Sequence, residues 1–245
     1  LGSLETADLA VLTSDQIQSI ASTSLGGLST AQMASMTSSG VSRLGASQVG
    51  MLTTDQLRVI TAGAVPGLGT DQLGALTSAQ VAGISTAQVA AMGSAQVGAL
   101  SAAVVGQLSA AQIVALSTNN VAGLTSAQAA VLSSAQVGAI QTADLAQLTS
   151  DALTAISLAG VDGLTTGQVA SLTSSNLGWL TTSQVARLSS AQLGAISTVH
   201  INSLTSEQML AMTVNQAPGL KVSQVAALDT EGVASLATGT FAALS

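Results

Sequence analysis

Residues 76–91 read LTSAQVAGISTAQVAA, one eight-residue phrase written twice. Working outward from Leu76, an aliphatic residue or Met recurs at every eighth position, back through Leu68, Ile60, Leu52, Leu44, Met36, Leu28, Ile20 and Leu12 to Leu4, and forward to Leu228, Leu236 and Leu244. No insertion or deletion breaks the register. A second apolar column follows each of these by five positions, from Leu9, Ile17, Leu25 and Met33 to Val225, Val233 and Phe241, with Ala129 and Ala217 its smallest members. With the first Leu as position a, the octad is L-[ST]-[ST]-A-Q-V-[AG]-[AG], positions a to h. Self-similarity at a fixed short period is the mark of a stacked repeat architecture, in which each unit buries its apolar side chains only with its neighbours.

What one octad folds into follows from the spacing of its polar residues. Position b is mostly Ser or Thr and position e, three places on, mostly Gln, as in Thr77 with Gln80, Ser109 with Gln112 and Thr181 with Gln184. This is a capping box: the hydroxyl accepts from the backbone N–H three places on, and the Gln reaches back to the cap's own N–H. Positions a and f then flank the cap as a hydrophobic staple. Small residues at g and h, often Gly as in Gly26, Gly27, Gly74, Gly83, Gly123 and Gly163, read as the stop. Pro66 and Pro218 at g disfavour helical geometry in Val65 and Ala217, so there the helix is expected to end after one turn. One continuous helix is excluded, because an octad advances it roughly 800°, about 80° past two turns, and the apolar columns would spiral around it. The chain must bend once per octad.

The expected fold class is therefore all-α, a solenoid of very short capped helices, one per octad, over 1–245 as a single uninterrupted array. A β-solenoid is the alternative, favoured by Thr, Val and Gly, but it needs a corner inside every octad to bring columns a and f to one core. Two patterns bracket the superhelical turn. Gln is missing from e at Ser24, Ala64, Val104 and Asp144, and at Gly40, Asn120, Gly160, His200 and Thr240, in steps of five octads or multiples of five, which suits two and a half octads per turn. Gly2, Gly26, Gly50, Gly74 and Gly98, and Gly45, Gly69 and Gly93, step by three octads, which suits three per turn. The expectation is a thin rod of triangular or near-triangular section with about 20–24 residues per turn, the short end of the range for stacked repeats.

Composition narrows the function. Charged residues make up 6% of the chain and aromatic residues 1%, and eleven acidic residues against Arg43, Arg58, Arg187 and Lys221 leave a net charge of −7. A nucleic-acid partner would need a basic footprint, and the sequence has none. Zero cysteines exclude disulfides and thiolate metal sites. No run of about 18 apolar residues suggests a membrane-spanning helix. The first residues do not form a signal peptide, so an export signal would lie outside this stretch. Single residues that could carry chemistry have structural readings that fit better. His200 replaces Gln at e without a second histidine. Asp15, Asp55, Asp71 and Asp151 at d sit in a first helical turn, where a carboxylate meets the positive end of the helix dipole, whereas calcium would need them clustered. The serines lack a positioned base. Trp179 at h replaces a small residue and is expected on the outside. Thr53 with Thr54, Thr181 with Thr182 and Ser189 with Ser190 would stack as rows of hydroxyls, serving as caps or as a surface for ice or sugar.

The runs LTSAQVAG, ISTAQVAA and LSSAQVGA resemble the long L-T-x-x-Q-[VIL]-x-[AG] arrays of very large bacterial surface or secreted proteins, often labelled adhesin-like or haem utilisation or adhesion proteins. The resemblance spans the chain and implies a piece of a longer array that acts as an extracellular or cell-surface spacer, stalk or filament, and self-association into fibres or lateral packing. No enzyme activity, catalytic residue, metal or cofactor, haem included, is expected. The runner-up is a repetitive binding surface for ice, carbohydrate or a sister rod. Two aliphatic side chains cannot offset the conformational entropy of a whole ordered octad, so an octad folds only against stacked neighbours. A peptide of two octads should accordingly show no cooperative melting transition by circular dichroism, and a sigmoidal melt would contradict this reading.

Overall fold

In the computed structural model, which describes residues 1–244, every complete octad forms one short helix within positions c to h. Among the described residues there are twenty-five α-helical and five 3-10 segments and no strand, so the β-solenoid alternative is excluded. The cap falls where the pattern places it. Thr53 has φ −72° and ψ 160°, its hydroxyl accepts from the Gln56 N–H, and the Gln56 amide oxygen accepts from the Thr53 N–H at 2.9 Å. Ser109 with Gln112 and Thr181 with Gln184 repeat the arrangement.

Residue a, such as Leu28 with φ −75° and ψ 132°, is extended like residue b, and this pair makes the corner between one helix and the next. Glycine plays no conformational part in the stop, since no described residue, glycine included, has a positive φ. Its role at g and h is close approach. A Cβ on Gly67 would be driven into the backbone of Ser38, and Gly123 meets Ser94 and Gly163 meets Ser134 in the same way, each glycine pressing on the turn before its own. A Cβ on Gly50 would lie 2.9 Å from the carbonyl oxygen of Ala75 in the turn that follows. The prolines depart from expectation as well. Val65–Gly67 and Ala217–Gly219 are 3-10 segments that contain Pro66 and Pro218 near their starts. A proline is tolerated there because a first-turn N–H has no intrahelical partner.

The packing of helices settles the superhelical turn at three octads. Thr30–Ala34 packs on Thr54–Val59, and Ser126–Ala130 on Ser150–Ala155, in each case three octads further along the chain. The five-octad steps at position e are thus a periodicity of sequence alone, and a turn of two and a half octads is excluded. The chain divides into two compact units, Leu1–Leu124 and Thr125–Ser245. Each is a three-sided coil with columns a and f turned inward. In the first, Leu25, Met33, Val41, Val49 and Leu73 have no exposed surface; in the second, Val137, Leu145, Leu177, Val185 and Leu193 have none. Ala64, Val104 and Ala152, which replace Gln at e, join the cores.

The tight columns generate a contrast between glycines. Gly163→Ala should destabilise the protein by about 1–3 kcal/mol, the usual cost of overpacking. Gly63→Ala, where a Cβ meets nothing within 4 Å, should be neutral or stabilise by up to about 1 kcal/mol through the unfolded chain. Chemical denaturation of both variants measures the difference.

Candidate functional site

The residues that concentrate polar chemistry are the buried amides of column e. Gln56 is 2% exposed although it sits on a helix of only six residues. Its amide oxygen is held by the Thr53 N–H, which fixes the side chain and aims the amide nitrogen inward. That nitrogen donates to the carbonyl oxygens of Leu25 and Leu28, both at 2.8 Å and 31 and 28 residues back. One amide therefore caps its own helix and ties it to the turn beneath. Gln72, Gln88 and Gln112 in the first unit repeat the two donations at the same offsets. Gln168, Gln184 and Gln216 do so in the second. The acceptors are the carbonyls of f and a, one late in a short helix and the other at the following corner, and Gln184 also reaches the g carbonyl of Thr154 at 3.2 Å. Among the described residues no buried side-chain nitrogen or oxygen lacks a partner.

Sequence reasoning identified the cap but not the second half of the glutamine's work. The available signal was the surplus of Gln over Glu at e: either can accept from the cap N–H, but only an amide also donates. Several of the polar replacements keep part of the donation. Asn120 keeps the cap through the Ser117 N–H and donates to Met92. Asn176 reaches only the carbonyl of Ala146 at 3.5 Å, and Thr240 donates to that of Met212 at 2.8 Å. Where Gly40 offers no side chain, Arg43 of the same octad supplies the donor, with Nη1 2.7 Å from the carbonyl oxygen of Leu12 and 3.0 Å from that of Ala10.

The other singled-out residues are scattered. His200 is half-buried at the start of a 3-10 turn, its Nδ1 2.8 Å from the Ser174 hydroxyl. Asp15, Asp55, Asp71 and Asp151 are exposed in their first helical turns, and Asp55 pairs with Arg58 at 2.8 Å. No group of three or more potential metal-binding side chains forms among the described residues. Trp179 is 39% exposed. Of the hydroxyl pairs, Thr53, Thr181 and Ser189 accept from the N–H at e of their own octads, whereas Thr182 and Ser190 are exposed. Arg187 grips Asp162, with Nε 2.7 Å from Oδ1, and this guanidinium holds the exposed carboxyl below the usual carboxylate range. No helix among the described residues is long and apolar enough to cross a membrane.

Such a column positions backbone rather than reactants: its donors and acceptors are consumed within the chain. Replacing Gln56 with Leu strands the Thr53 N–H and the Leu28 carbonyl, takes one of two donors from the Leu25 carbonyl, and should cost about 2–4 kcal/mol. Gln16→Leu, at an exposed glutamine whose recorded bonds are those of the cap, should cost under about 1 kcal/mol. Equal losses in urea denaturation would refute the ladder.

The family model for the ALTTAQ repeat matches residues 1–38, 54–86, 65–102 and 137–174, together just over half of the chain. No curated protein matches it.

Proposed function

This chain belongs to the ALTTAQ repeat family, and we propose on that premise that it is a structural element, an extracellular or cell-surface spacer or stalk whose octads set length and stiffness. The observation that supports this reading is the amide column. Each complete link joins a helix to the turn beneath through two long-range hydrogen bonds, as Gln184 does to Leu153 and Ile156. A stack tied in this way at most octads resists bending, and each added turn extends it by the same amount. A non-enzymatic role is part of the proposal: histidine occurs once, cysteine not at all, and many of the serines and threonines at position b accept from the backbone as helix caps.

The exposed hydroxyls at position c, Thr182 and Ser190 among them, favour a second reading in which neighbouring stacks or a repetitive ligand such as ice or carbohydrate dock along one side. Low charge assists lateral contact, because little repulsion keeps such surfaces apart.

Arrays lengthened by whole turns of three octads separate the two readings. Small-angle scattering should show the maximum dimension rising by about 8–10 Å per added turn, the spacing of packed helices. Discrete particles by electron microscopy support the spacer; bundles support lateral docking; a compact particle of unchanged length would sink the stalk.

A further inference from the structure

One cavity occurs twice in this chain, near its start and again near its end. The first is lined by Leu9, Ala10, Ile17, Met36, Gly40 and Arg43, among others, and holds about 50 Å³. The second is lined at the corresponding positions by Ile201, Asn202, Met209, Leu228 and Gly232, and holds about 450 Å³. Both share one feature. In each, position e is glycine, Gly40 or Gly232, so the amide that elsewhere bonds the carbonyls one turn below is missing.

The difference lies in what replaces the amide. In the first cavity the guanidinium of Arg43 enters and donates to the carbonyl oxygens of Ala10 and Leu12. In the second, position h is Ser235. Among the described residues no side chain donates to the corresponding carbonyls of Asn202 and Leu204. Leu204 is buried as a residue and lines the second cavity. The rim is also more acidic, although Asp15 already stands at the position of Glu207. Where Ser39 stands beside the first cavity, Glu231 lines the second, along with Asp229 and Glu207. These carboxylates are partly ordered around the opening: Ser206 donates to Glu231 at 2.8 Å, and the Gly232 N–H to Asp229 at 2.7 Å. The Glu207 carboxyl is held below its ordinary range by its own backbone N–H and by the Thr205 hydroxyl. The chain thus contains both a guanidinium pocket filled from within and an enlarged, acid-rimmed copy of it with no basic side chain in its lining.

We propose that the cavity between the octads starting at Leu204 and Leu228 is a binding site for a guanidinium group, the side chain of an arginine brought by another molecule. One terminal nitrogen of the guanidinium would donate to both the Leu204 and Asn202 carbonyls, as Nη1 of Arg43 does to Leu12 and Ala10, while the acidic rim balances its charge. The site stands apart from the spacer role, since the Arg43 cavity shows that the stack itself needs only an internal plug.

Titration of the whole chain with N-acetyl-arginine amide, followed by backbone amide NMR, tests this. Saturable shifts centred on Asn202, Leu204 and Gly232 are expected, with at least tenfold weaker response to N-acetyl-lysine amide. Ser235→Arg should supply the plug internally, raise the melting temperature and reduce affinity at least tenfold. Glu231→Gln, which leaves both carbonyls in place, should weaken binding several-fold with unchanged helical circular dichroism. Equal binding of the lysine compound, shifts spread along the chain, no saturable shift, or undiminished binding to both variants would overturn the proposal.

Discussion

A glutamine amide has one acceptor oxygen and two donor hydrogens, and the fold depends on the way column e uses all three. The oxygen takes the N–H of the cap in its own octad; the hydrogens go to two carbonyls of the turn beneath, as Gln184 shows with Thr181, Leu153 and Ile156. The local bond prepares the distant ones. By fixing the side chain across the helix start, the cap removes rotamer freedom that the inter-turn bonds would otherwise have to offset. The helix stop belongs to the same device. A helix continued past h would have used the f carbonyl within its own ladder. Because it ends there, the f carbonyl accepts the N–H of the following residue a, as Leu25 does from Leu28, and takes the amide of the next turn as a second donor, while the carbonyl of extended residue a is left for the same amide.

This constraint explains which substitutes column e accepts. Asparagine is one methylene short, and Asn176 consequently reaches only Ala146. Small apolar residues such as Ala64, Val104 and Ala152 give up the bonds and fill the space instead. Glycine is packed over at Gly160 by Ile156 and Val137, whereas beside Gly40 the guanidinium of Arg43 restores the donation from position h. The glycines of g and h follow from the same closeness. Once amides draw successive turns together, the backbones at Gly67 and Ser38 or Gly163 and Ser134 touch, and a side chain has no room.

Most of the fold was legible in the octad because its determinants lie within a single repeat: the box at b and e, the staple at a and f, and the bend required by the period. The number of octads per turn was legible only in part. The three-octad steps of the glycines carried the right answer, and Gly50, Gly74 and Gly98 do abut the backbone of the following turn, while the five-octad steps of the missing glutamines imposed a competing period with no counterpart in the coil. The prolines misled, since Pro66 lies inside a late 3-10 turn and not beyond a finished helix. The second role of glutamine was hidden because its partners, such as Leu25 and Leu28 for Gln56, belong to the turn beneath, and nothing local in the sequence names them. The relation between Gly40 and Arg43 needs coordinates for the same reason.

The corner has a further consequence. It is made by the same two extended residues on all three sides, and no side is marked by a special dihedral angle. Loss of one octad moves every later octad on by a third of a turn, yet each amide again finds an f and an a carbonyl at the usual separation, because the rule counts octads and ignores sides. The gene can therefore gain or lose octads singly through slippage between near-identical copies, and each product remains a foldable coil. Architectures whose side chains are tailored to one side must change by whole turns; this one can be adjusted in units a third as large.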